Sequence, residues 1–196
     1  MILNVIHKKS RTDRREHLLS EIRRQGIAET VWHDAVTDCK TKHQSIGESH
    51  KNVVRFAKEK GFESIIIAED DLYFPAEDGW DYFLKKIPQS YGLFLGGAYS
   101  YRITYDTFEF NGVVLHKWSG MHLYAVHKSF YDTFLRSDTV THNIERAVAL
   151  QAATEAKAMS ICWPFAAVQA ETPSDNVQGK IYKITEYFNK QNTYGL

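Results

Sequence analysis

The chain has 196 residues, 43% of them apolar and 24% charged, an ordinary composition for one folded domain spanning 1–196. Lysine plus arginine equal aspartate plus glutamate at 24 each, so the overall charge gives no nucleic-acid signal. Two cysteines, Cys39 and Cys162, exclude a disulfide framework and a zinc ribbon. No apolar run approaches the ~20 residues of a membrane span. The opening residues run straight into His7-Lys8-Lys9 without the form of a cleavable signal. These features predict a cytoplasmic protein with no transmembrane segment, and they leave peripheral membrane contact open.

Residues 2–6 are a short apolar run and predict a buried strand. Asp13 is placed to cap a helix that carries Leu18, Leu19 and Ile22 on one face, with Gly26 ending it. A second strand is predicted over 30–36, through Val31, Trp32 and Val36. Ser49 is placed to start a helix with Val53, Val54 and Ala57 inward and Gly61 as its stop. Residues 64–68 then read as a fully buried strand that ends in Glu69-Asp70-Asp71. This β-α-β-α-β order predicts an α/β fold with a mainly parallel central sheet.

Further on, a helix is expected over 80–87 before Pro88, and a strand over 91–95. A hairpin is expected over 101–115, turning at Asn111-Gly112. A strand over 121–126, helices near 129–135 and 144–156, a strand at 159–162 and an aromatic tail at 181–188 complete the pattern.

The acidic triplet carries the strongest chemical signal. Ligands of open α/β sheets bind outside the carboxyl ends of the strands. Three adjacent carboxylates repel one another, and Mg²⁺ or Mn²⁺ relieves this while taking further oxygens from a diphosphate. Alternation along an extended chain predicts that Glu69 and Asp71 point one way and Asp70 the other. The second signal is residues 8–24, with seven cationic side chains against three acidic ones, a local net of +4. Arg11 and Arg14, just past a strand end, suit a phosphate through bidentate bonds, whereas Arg23 and Arg24 read as a solvated helix face.

The chain resembles glycosyltransferase family 25, which contains lipooligosaccharide and collagen-modifying galactosyltransferases. The resemblance rests on Val5-Ile6 with Arg11-Thr12-Asp13-Arg14, Ser49-His50, and Ile65-Ile66-Ile67-Ala68-Glu69-Asp70-Asp71. Gly120 to Lys128 and then Pro164, Gln169 and Ser174-Asp175 continue it in order. Three positions depart from the family pattern: His7-Lys8 replaces Asn-Leu, Ser45-Ile46 replaces Gly-Cys, and Glu145 replaces an aspartate.

The resemblance implies a GT-A-like nucleotide-sugar-binding sandwich and inverting transfer of a sugar, expected to be a hexose from UDP. A nucleotide-sugar donor and a glycan or other hydroxyl acceptor are the implied partners. The donor-side residues are then Arg11, Arg14, Ser49, His50 and Asp70, beside the metal ligands Glu69 and Asp71. Removing the acceptor's proton needs a base, for which Glu145, Asp175 and His122 are the candidates. Two rivals stand beside this reading: a non-catalytic sugar-nucleotide or glycan binder on the same scaffold, and another metal-dependent nucleotidyl- or phosphotransferase. No P-loop, dinucleotide fingerprint, nucleophile elbow or H-E-x-x-H is present.

Overall fold

The computed structural model describes residues 1–106, 112–175, 179–181 and 183–196. The first half follows the expected alternation: β1 (Leu3–His7), α1 (Thr12–Arg24), β2 (Thr30–Asp34), α2 (Lys42–Glu59) and β3 (Ser64–Glu69). There follow β4 (Leu72–Tyr73), α3 (Gly79–Lys86), β5 (Leu93–Leu95), β6 (Ser100–Asp106), β7 (Gly112–Ser119) and β8 (Leu123–His127). The chain ends with α4 (Tyr131–Arg136), α5 (Ile144–Thr154), β9 (Met159–Ile161), β10 (Val168–Gln169) and the single turn α6 (Ile184–Tyr187).

Eight strands form one sheet in the order β2-β1-β3-β8-β5-β9-β7-β6. β1 lies parallel between β2 and β3, and β5 is parallel to β9. β8 runs antiparallel between β3 and β5, and β7 antiparallel between β9 and β6. Six strands therefore share one direction and two oppose it, a mixed α/β sheet that is mostly parallel. The hairpin of β6 and β7 forms as expected, while Asn111 of its anticipated turn lies outside the described residues. The pairing of β4 with β10 is too short and too distant in sequence to read from periodicity.

Both faces of the sheet are covered, which is why its central strands are continuously apolar. Ile65, Ile67, Tyr124 and Val126 pack with Val53, Val54 and Ala57 of α2, Phe134 of α4 and Val148 of α5. Their neighbours Ile66, Ala68, Leu123 and Ala125 face the other way, onto Leu18 of α1 and Trp80 and Phe83 of α3. Each fully buried large apolar side chain stabilises the fold by about 1.5–3 kcal/mol.

Helix boundaries depart from expectation in two places. α2 begins seven residues before Ser49, where Thr41 accepts a bond from the Gln44 amide at 3.2 Å. Ser49 lies inside the helix and donates to the Ser45 carbonyl at 2.7 Å. α1 starts after Arg11 with no side-chain cap, so Asp13 acts in its first turn through charge rather than as the cap. The helix ends do fall at Gly26 and Gly61, whose φ of +63° and +69° favour glycine. Among the described residues no helix is long and apolar enough to cross a membrane.

Candidate active site

Because β1 and β3 are parallel neighbours, with Ile6 opposite Glu69, their carboxyl ends open onto the same place. The loop after β1, the turn after β3, the start of α2 and the segment around Asp175 enclose a cavity of about 700 Å³. Glu69, Asp70, Asp71, Glu145 and Asp175 line it together with Lys8, Arg14, Lys40, Lys42 and His50.

The three acids do not alternate as predicted. β3 ends at Glu69 and the chain turns at Asp70 and Asp71, so strand geometry no longer governs the third side chain. Asp70 is buried and accepts from His7 Nδ1 at 2.9 Å, the Lys8 amide at 3.3 Å and Arg14 Nη1 at 3.0 Å. Asp71 is ion-paired to that same Nη1 at 2.8 Å. Asp70 and Asp71 thus share one guanidinium from α1, while Glu69 faces α2.

Arg14 is consequently committed. Its side chain is 9% exposed, and its Nη2 donates to the Pro173 carbonyl at 3.0 Å. Burial works to lower its pKa, and Asp71 and Asp70 outweigh that, so the net shift is upward. Arg11 is likewise engaged, with Asp13 at 2.7 Å and Asp175 at 2.9 Å. The expectation that these two arginines stand open to a diphosphate is corrected: carboxylates, most of them from distant parts of the chain, already occupy them. Three lysines at the cavity are not among the residues the sequence singles out. Lys8 pairs with Asp175 at 3.3 Å, Lys42 donates to the Asp175 carbonyl, and Lys40 has no acidic partner among the described residues. Lys8 belongs to the basic run already noted, whereas Lys40 and Lys42 carry no local signal.

Asp175 lines the cavity, with burial raising its pKa and Lys8 and Arg11 bringing it below the usual value. Glu145 sits in the first turn of α5 and lines the cavity, and its Oε1 accepts from the Gly120 amide at 2.9 Å. His122 is not brought to the cavity. It is 1% exposed, donates through Nε2 to the Ala167 carbonyl at 3.2 Å, and has its pKa lowered by burial. It is a core histidine, because its side chain enters the interior beside Tyr99 and Phe188. Ser49 lines the cavity but accepts from the Val36 amide at 2.8 Å, which ties the loop after β2 to α2.

His50 is fully buried and bonds on both sides, to Tyr124 Oη at 2.7 Å and to Glu69 Oε1 at 3.1 Å. Burial works to raise the pKa of Glu69, and His50, with His122 and Arg14, brings it below the usual value. Tyr124 escapes a reading of the sequence because it sits among the apolar residues of β8 and reads as core.

The donor set suits a cation only in part. Asp71 Oδ1 is buried without a hydrogen-bond partner, and burial with repulsion from Glu69 and Asp70 raises the Asp71 pKa to about 8 against the pull of Arg14. That oxygen can accept one more positive charge. No three acidic, histidine or cysteine side chains converge on a metal-sized centre among the described residues. A Mg²⁺ or Mn²⁺ at Asp71 would therefore have to complete its shell with water and ligand oxygens.

No protein-family model matches the sequence, and no curated protein does. Among solved structures, the chain is similar to a Drosophila beta-1,4-galactosyltransferase 7 mutant in complex with manganese, UDP-Gal and xylobiose. The TM-score is 0.50 at 11% identity, covering 98% of this chain and 74% of that one. Mannose-1-phosphate geranyltransferase from Thermus thermophilus gives a TM-score of 0.49 at 9% identity over 82% of this chain and 73% of that one. A glycosyltransferase involved in glycosylation of the major capsid of PBCV-1 gives 0.40 at 11% identity over 67% of this chain. This chain spans 61% of that one. At these identities the likeness is one of fold: the chain has a GT-A-like glycosyltransferase fold.

Proposed function

We propose that this chain is a glycosyltransferase that moves a sugar, with inversion, from a nucleoside diphosphate, most simply a UDP-hexose, to an acceptor hydroxyl. The observation that carries this is the unpartnered buried oxygen of Asp71, at a strand-end turn that lines a cavity of about 700 Å³. Asp71 would hold Mn²⁺ or Mg²⁺ with the donor's phosphate oxygens, and the cation would neutralise charge developing on the leaving diphosphate. Lys8, Lys40 and Lys42 complement the remaining phosphate charge. Glu145 anchors the acceptor through the oxygen not bound to the Gly120 amide. In the transfer the acceptor oxygen bonds to the anomeric carbon as the bond from that carbon to the diphosphate breaks. The diphosphate keeps the bonding pair, and the hydroxyl proton passes to a carboxylate.

Incubation with UDP-glucose, UDP-galactose and UDP-N-acetylglucosamine, each with Mn²⁺, tests the reading by release of UDP. Release of UDP with one donor and its loss with chelator are expected. One observation favours the non-catalytic binder instead: Arg14 already compensates Asp70 and Asp71. That reading takes over if UDP binds equally well with and without Mn²⁺ and no donor is consumed.

A further inference from the structure

We infer that Glu69 is the carboxylate that binds the acceptor hydroxyl and takes its proton, held in place by the buried pair His50 and Tyr124, and that it is not a metal ligand. This inference rests on the glycosyl-transfer reading and adds a division of labour within the acidic triplet.

The three acids face two different sides. Glu69 is the last residue of β3 and keeps strand orientation, its amide still bonded to the His122 carbonyl of the neighbouring chain segment at 3.2 Å. Its odd-numbered companions Ile65 and Ile67 face α2, and so does Glu69, where His50 meets it. Asp70 and Asp71 belong to the α1 side through Arg14. Glu69 and Asp71 line one cavity and act on each other through their charges, but different elements anchor them, α2 through His50 and α1 through Arg14.

The anchor itself is built for orientation. His50 comes from α2, Tyr124 from β8 and Glu69 from β3, and the first two are 1% and 0% exposed. Only one proton arrangement satisfies every group: the Tyr124 hydroxyl donates to His50 Nδ1, and His50 Nε2–H donates to Glu69 Oε1. Phe134 stacks on the Tyr124 ring at 6.1 Å with an interplanar angle of 6°, which holds the hydroxyl in place. Burying two polar side chains that serve only each other and one carboxylate is costly unless that carboxylate needs a set direction. Glu69 is clamped at Oε1, while Oε2 makes no hydrogen bond among the described residues, and the side chain is 30% exposed toward the cavity. One oxygen held and one free is the arrangement a proton acceptor needs. In the transfer, the proton leaving the acceptor oxygen goes to Glu69 Oε2 while the diphosphate departs with its electron pair.

The test compares Glu69→Gln, His50→Gln, His50→Ala and Tyr124→Phe with Asp71→Asn. Mn²⁺-dependent UDP binding is measured by calorimetry, and UDP release from the donor used by the wild type is measured as kcat and KM. Glu69→Gln is expected to bind UDP with Mn²⁺ as the wild type does and to lose about 10²–10⁴-fold in kcat, the range of a general base. Tyr124→Phe removes one hydroxyl from an otherwise unchanged core. It is expected to lower kcat at unchanged donor KM, by less than Glu69→Gln does, because it removes only the group that orients His50. His50→Gln, which keeps an N–H donor, is expected to retain more activity than His50→Ala. If Glu69→Gln loses Mn²⁺-dependent UDP binding as Asp71→Asn does, Glu69 is a metal ligand and the inference is overturned while the transferase reading stands. Wild-type kcat in Glu69→Gln overturns it equally. A wild-type protein that neither binds UDP with Mn²⁺ nor releases it from any donor removes the transferase reading and this inference with it.

Discussion

Replacing Arg14 with methionine, which keeps the stem and deletes the guanidinium, should destabilise the fold before it affects any ligand. Arg14, Asp70 and Asp71 have side chains 9%, 7% and 4% exposed, and the guanidinium Nη1 lies 3.0 and 2.8 Å from the two carboxylates. Arg14→Met leaves both acids buried, with only His7 and the Lys8 amide on Asp70 and Asp71 stripped of its ion pair. Removing one partner of a buried ion pair costs about 3–5 kcal/mol. At about 2–4 °C per kcal/mol for a chain of this size, the melting temperature falls by roughly 6–20 °C. Differential scanning fluorimetry and urea titration read this directly. A double-mutant cycle with Asp71→Asn should return a coupling of about 0.5–3 kcal/mol, because the second substitution removes the carboxyl group that the first leaves without its partner. Mn²⁺ should stabilise Arg14→Met more than the wild type, since a cation replaces the missing positive charge. A loss below about 1 kcal/mol together with zero coupling in the cycle would show that Arg14 is a solvated side chain and that the turn is not electrostatically closed.

Other consequences are simpler to check. Gly97→Ala should destabilise by at least about 1–3 kcal/mol in a urea melt, because an added Cβ would lie 2.1 Å from the Ala167 carbonyl oxygen. Thr41→Ala should cost about 1 kcal/mol through loss of the α2 cap, whereas Asp13→Ala, which removes no capping bond, should cost less. The two thiols should separate under an aromatic disulfide reagent: Cys39, half-buried at the cavity, reacts in the native state. Cys162, buried and with its pKa pushed up to about 12 by that burial, reacts only on unfolding. UDP with Mn²⁺ should slow the Cys39 reaction, and equal rates with and without them would remove Cys39 from the ligand's reach.

What can be read from the chain alone follows the range of the interactions involved. The opening β-α-β-α-β order is legible because apolar runs such as Ile65-Ile66-Ile67-Ala68 and stops such as Gly26 and Gly61 act within a few residues. The start of α2 is not, because Ser49 looks like a cap while the Ser45 and Ser49 hydroxyls hold the loop after β2, bonding the Cys39 and Val36 amides. β8 is legible as a strand, but its antiparallel place between β3 and β5 depends on pairings across dozens of residues, which leave no local pattern.

The same distinction runs through the site. The acidic triplet stands out because a buried strand that ends in three carboxylates is a local fact of the chain. Its partition does not, because each acid takes its direction from a group supplied elsewhere: Arg14 is 56 residues from Asp70, and His50 is 19 from Glu69. Alternation correctly separates Glu69 from Asp70, since both still follow from β3, and it fails at Asp71 because the chain has already turned. The basic loop misleads for a related reason. A count of +4 over residues 8–24 treats arginines as free charges, but Arg11 and Arg14 meet Asp175 and Asp70 only after the chain folds back on itself. Charge counted along a sequence is neutralised by the nearest carboxylates in space, so the cations left for a ligand are those with the weakest internal claims. At the cavity these are Lys8, which shares an Asp175 that is 39% exposed, Lys42, which holds a backbone carbonyl, and Lys40, with no acidic partner among the described residues.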